Sequence, residues 1–145
     1  MANEAKASIE AKAKELLYAG TDGAIGFGDH TLNAKAKLED FEYGGNIWKV
    51  KTFKTMTKLE KNSMFVYESV PGTSVTNFLE SEEGLSFEVE GLEDAQITLE
   101  LAEDTEYEVF IGGNGIGKMA TNLSGKLSLS VELAETVKVP VKIKK

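Results

Sequence analysis

The chain has 145 residues, 41% of them hydrophobic and 28% charged, and a net charge of −8; it holds enough apolar material for one core and too much for a disordered segment. It has no cysteine and no arginine, and His30 is its one histidine. That composition excludes a disulfide framework, thiolate chemistry, cysteine zinc sites and bidentate arginine clamps, and it leaves little for imidazole acid–base catalysis. The acidic balance also speaks against a nucleic-acid partner, whose phosphates it would repel.

In chain order, residues 1–19 are rich in Ala, Glu, Lys and Leu, and Ile9, Ala13, Leu16 and Leu17 share one helical face. The spacing predicts an amphipathic helix with Asn3 as N-cap and a stop at Gly20 to Gly23. No segment reaches the eighteen uninterrupted apolar residues of a membrane span, and the charged start is unlike a secretory leader, so the chain reads as cytoplasmic or as a processed mature domain.

Beyond Gly28 the period falls from 3.6 to 2. Strands are expected at Leu32 to Leu38, at Trp48 to Lys51 and at Met64 to Tyr67, the last ended by Pro71-Gly72. The second half alternates more cleanly: Leu85, Phe87 and Val89; Ile97, Leu99 and Leu101; Tyr107, Val109 and Ile111; Leu127 to Leu133; and Val137 to Ile143. Apolar and polar residues in strict alternation belong to antiparallel sheets with one wet face. Pro140, lacking an N–H, is expected on an edge strand or in a bulge. Residues 85–101 echo 127–143 at an offset of 42, through Leu85/Leu127, Ser86/Ser128, Val89/Val131, Glu90/Glu132 and Glu93/Glu135. That echo reads as two similar hairpins.

Charge is segregated along the chain. Residues 62–117 carry thirteen acidic residues and no lysine, whereas the flanking segments carry all sixteen lysines. The pattern predicts acidic strands laid against lysine-bearing ones, where opposite charges facing each other across a ladder are favourable.

Gly112 to Lys118 spells G-x-x-x-x-G-K, but Met119 stands where a phosphate-binding loop needs Ser or Thr, and Asn122, Ser124 and Gly125 break the helix that must follow. A hairpin turn is the better reading. Asp22, Asp29 and His30 in the first glycine-rich loop could in principle ligate a metal, but a plain polar loop is the better reading. Acidic pairs recur at Glu82-Glu83, Glu93-Asp94 and Glu103-Asp104. They read as solvated turns, and Ca2+ is the one cofactor they would suit if two of the turns converged. Phe53 and Phe110 fall out of phase with the inward residues of their strands, which marks a sheet face carrying exposed rings.

The expected architecture is one domain over residues 1–145: the helix over 1–19, then an antiparallel β-sandwich or partly open β-barrel of about 7–9 strands over 20–145, ending in a meander. The expected function is non-enzymatic: a binding or assembly module that meets a protein, a glycan or another copy of itself through a sheet face or turn loops. Phe53, Phe110, Glu82, Glu83, Glu93, Asp94, Glu103 and Asp104 are the candidate surface. The alternative is a carrier of a small apolar ligand inside a barrel capped by the helix, with Ala34, Ala36, Ala95 and Ala120 leaving room. Neither reading calls for membrane insertion.

Overall fold

The computed structural model describes residues 16–145 as thirteen strands in two antiparallel sheets. The strands are β1 (Leu17–Ala19), β2 (Ile25–Phe27), β3 (Ala36–Tyr43), β4 (Asn46–Phe53), β5 (Met56–Lys61), β6 (Met64–Val70), β7 (Ser74–Ser81), β8 (Gly84–Glu90), β9 (Ala95–Glu100), β10 (Glu106–Ile111), β11 (Asn114–Ala120), β12 (Lys126–Val131) and β13 (Val139–Lys144). One sheet runs β1-β2-β7-β8-β13-β10-β11 and the other β12-β9-β6-β5-β4-β3. No barrel closes.

The predicted alternation is what lays the sheets together. Leu85, Phe87 and Val89 of β8, Val109 of β10 and Val141 and Ile143 of β13 are buried against Ile97 and Leu99 of β9 and Leu127 and Leu129 of β12. Phe27, Tyr67, Phe78 and Phe87 form an aromatic centre, with edge-on contacts of 5.1 Å between the Phe27 and Tyr67 rings and 5.8 Å between Tyr67 and Phe87. Edge-to-face pairs of this kind stabilise beyond the area they bury.

Several expectations need correction. Most of the helix predicted over 1–19 lies outside the described residues, and at its end Leu17–Ala19 is a strand paired with β2. Leu17 turns into the core while Tyr18 turns out across Gly26, a period of 2 that three residues are too few to announce. There are more strands than 7–9 because β1, β2, β5 and β7 join those expected, and β5 is bounded by the two-residue turns Lys54-Thr55 and Asn62-Ser63, pairs without a glycine. Ala34 and Ala120 are exposed, so they leave no interior room.

Pro140 sits in the interior of its sheet, because β13 pairs with both β8 and β10. Its carbonyl accepts the Gly112 N–H at 2.8 Å, so its nitrogen faces the same side, where β10 has given way to a turn. The missing N–H thus falls just beyond Ile111–Val141, the last paired residues of the β10–β13 ladder. That turn is the hairpin expected in place of a phosphate loop: Gly112 and Gly113 have φ of 62° and 82°, the double positive φ of a type I′ turn.

The internal echo is real in space but is not two hairpins. β8 and β9 lie in different sheets, as do β12 and β13, and β8 pairs with β13 while β9 pairs with β12. The repeated unit is a strand, a crossing loop and a strand. Its two copies clasp each other, and the Asp94 carboxylate of one crossing loop accepts the Leu133 N–H of the other at 3.0 Å.

The charge pattern follows the register. Glu108 faces Lys118 on one side and Lys144 on the other, Glu100 faces Lys126, and Glu68 faces Lys58. One row departs from complementarity: Lys37, Lys51 and Lys58 stand directly opposite one another across β3, β4 and β5.

Candidate functional site

The candidate surface does not assemble as one site. Phe53 lies on the outer face of the six-stranded sheet under the Lys35 ammonium, 5.8 Å from the ring centre. Phe110 lies on the outer face of the other sheet, opposite Gly115 and Lys142, where Pro140, Gly113, Lys142 and Lys144 help to bound a groove of about 420 Å³. Glu82-Glu83 and Glu103-Asp104 occupy turns at one end of the sandwich and Glu93-Asp94 a loop at the other. Among the described residues, no three His, Asp or Glu side chains are grouped so as to hold a metal ion. Asp29, from the glycine-rich loop, spends its carboxylate on the Thr31 N–H at 3.0 Å.

The most built surface is the end that carries Glu93. Three segments cross there between or along the sheets: residues 28–35, the β4–β5 turn at Lys54-Thr55, and residues 71–73. Main-chain bonds tie them in sequence, from the Lys54 N–H to the Leu32 carbonyl at 2.8 Å and from the Gly72 N–H to the Lys54 carbonyl at 3.0 Å. Gly72 is required by this approach, since a Cβ there would lie 1.9 Å from the Phe53 carbonyl oxygen. The Val70–Pro71 peptide bond is cis.

Beneath the segments runs a chain of buried hydroxyls. The Thr57 hydroxyl donates to the Thr73 carbonyl at 2.7 Å, which commits its one proton, so the Thr52 hydroxyl 2.8 Å away donates to Thr57. Thr52 in turn accepts the Asp29 N–H at 2.8 Å, and Thr57 accepts the Thr73 N–H at 3.1 Å. The Thr73 hydroxyl lies 2.7 Å from both the Tyr67 hydroxyl and Ser69 Oγ. Thr52, Thr57, Tyr67, Ser69 and Thr73 are all wholly buried. Every member is bonded, and a fully satisfied buried network of this kind rigidifies what it holds. Burial pushes the Tyr67 phenol above its ordinary pKa, against the smaller opposing pull of its hydroxyl neighbours.

Over this base lies a groove of about 500 Å³ bounded by His30, Lys54, Thr55, Val70, Pro71, Gly72, Leu92 and Glu93. Its apolar side chains are unusually bare: Val70 is 52% and Leu92 57% exposed. His30 is held by Ser74, whose Oγ accepts the His30 main-chain N–H at 3.2 Å and lies 2.7 Å from Nδ1. The direction of this second bond follows the imidazole tautomer. Among the described residues, no carboxylate lies within 4.0 Å of the Lys54 ammonium.

Of the candidate surface residues, Glu93 alone borders this groove; the sequence reading missed Val70, Leu92 and Lys54 and weighed His30 only as a metal ligand. Leu92 carried a signal, as a large apolar residue inside the polar turn Gly91-Leu92-Glu93-Asp94. The groove combines a fixed wall, an exposed apolar floor and a few polar heads, the make-up of a binding site for a partly apolar ligand. Compared with known proteins, the chain matches no family model, and neither a curated protein nor a solved structure is similar to it.

Proposed function

We propose that this protein is a non-enzymatic binding module that takes an apolar element of a protein partner into the groove between its crossing loops. The observation that carries the reading is the pairing of bare apolar side chains, Val70 and Leu92, with loops locked from below by a wholly bonded hydroxyl network. Solvent-exposed apolar groups are costly to leave unpaired, and a rigid wall lowers the entropic penalty of covering them. The test is amide chemical-shift mapping with N-acetyl-L-leucinamide, whose shifts are expected to cluster at residues 28–31, 54–55, 70–73 and 91–94. Shifts confined to other surfaces, or none at millimolar probe, refute the reading.

A glycan is the second reading, favoured by the half-buried Phe110 ring beside Pro140 and the groove of about 420 Å³ over it. Aromatic rings of this exposure stack on sugar rings. Phe110→Ala is then expected to abolish retention on a polysaccharide affinity gel that the wild-type protein binds; equal retention sinks this reading.

A further inference from the structure

Resting on the loop-end reading, the geometry points to a narrower occupant: we infer that the groove takes the C-terminal residue of a partner polypeptide, an apolar side chain with its free carboxylate. The polar heads around the groove are unbalanced. Lys54, Thr55 and His30 bound it, and among the described residues Glu93 is the single carboxylate that does. A lysine without an ion-pair partner within 4.0 Å among the described residues supplies the countercharge for an anion. The apolar floor of Val70, Pro71 and Leu92 lies beside those polar groups, so the ligand must join an apolar group to its anionic end over a short distance. A chain terminus ending in Leu, Ile or Val does so, and capture of terminal carboxylates by fixed donors is a recurrent mode of peptide recognition. Glu93 is left to accept a backbone N–H of the same segment, which favours a polypeptide over a simple fatty acid.

The test uses the whole protein and three probes in calorimetric titration: the peptide acetyl-Ala-Gly-Ser-Val-Leu with a free C-terminus, the same peptide as its C-terminal amide, and 4-methylpentanoate. The free acid is expected to bind about tenfold or more tightly than the amide. Lys54→Met is expected to bring the acid peptide down to the affinity of the amide, while Lys126→Met, at the far edge of the other end, keeps the wild-type difference. Melting temperatures of both variants establish that they are folded. Equal affinity for acid and amide overturns the carboxylate assignment and leaves the loop-end reading standing. An acid as small as 4-methylpentanoate binding as tightly as the peptide overturns the polypeptide source. No binding by either peptide, together with an empty shift map for N-acetyl-L-leucinamide, overturns the loop-end reading itself.

Discussion

Replacing Thr57 by valine keeps the shape of a wholly buried side chain and removes one hydroxyl. Three groups lose their partner: the Thr73 carbonyl, the Thr73 N–H and the Thr52 hydroxyl proton, now bonded at 2.7, 3.1 and 2.8 Å. A buried polar group left unsatisfied costs about 1–3 kcal/mol, so the sum after partial relaxation is about 3–5 kcal/mol. For a chain of this length each kcal/mol moves the melting temperature by roughly 4 °C, which places the variant at least about 12 °C below wild type. Thr76→Val supplies the control. The Thr76 hydroxyl oxygen is buried and has no hydrogen-bond partner among the described residues, so its removal is expected to be neutral or to stabilise by about 1 kcal/mol. Circular-dichroism melts and urea titrations of the two variants measure the difference directly. A Thr57→Val variant within 1 kcal/mol of wild type, or one more stable than Thr76→Val, refutes the claim that the hydroxyl chain holds the loop end.

Three further outcomes are expected. Lys51→Thr, in the centre of the Lys37–Lys51–Lys58 row, relieves like charges facing each other and raises stability by a few tenths of a kcal/mol, an effect that shrinks as salt is added to the urea titration. Gly72→Ala drives a methyl into the Phe53 carbonyl and lowers stability by about 3 kcal/mol or more, whereas Gly113→Ala meets no atom within 4 Å and pays only the strain of its positive φ. Tyr67 has its phenol pKa raised in the folded state above the ordinary 10.0, so the unfolded chain sheds this proton first as pH rises. Stability is therefore unaffected by this group below pH 10 and falls by up to about 1.4 kcal/mol per pH unit above it. Tyr67→Phe removes that part of the alkaline slope, readable from urea melts at pH 9 to 11.5.

The strands of the second half were legible because their alternation is strict: Leu85 to Val89 and Leu127 to Val131 bury every second residue, as their sequence implies. The sheet each strand joins was not legible. Gly91-Leu92-Glu93-Asp94 has the length and polarity of a hairpin turn, yet it crosses between sheets, and nothing local distinguishes the two. The helix signal at the start ends in a three-residue strand because Leu17 gains complete burial opposite Phe27, a tertiary gain that outweighs helix propensity. Pro140 was misplaced for a related reason, since the hairpin that ends beside it is a matter of register rather than of composition. Phe53 and Phe110 are half-buried, and their lying on opposite faces depends on strand order. The loop-end groove escaped notice for the same cause: His30, Lys54, Val70 and Leu92 are far apart in the chain, and only the crossings bring them together.

The proposed binding requires a loop end that is rigid before it meets a ligand. Native-state hydrogen exchange at the Thr73 amide, which donates to Thr57 Oγ1 at 3.1 Å inside the buried network, reads this directly. The amide is expected to exchange only through global unfolding, with the same opening free energy as the central strand amides of β9. Exchange through a local opening several kcal/mol below the global value would show a loosely held loop and contradict the account.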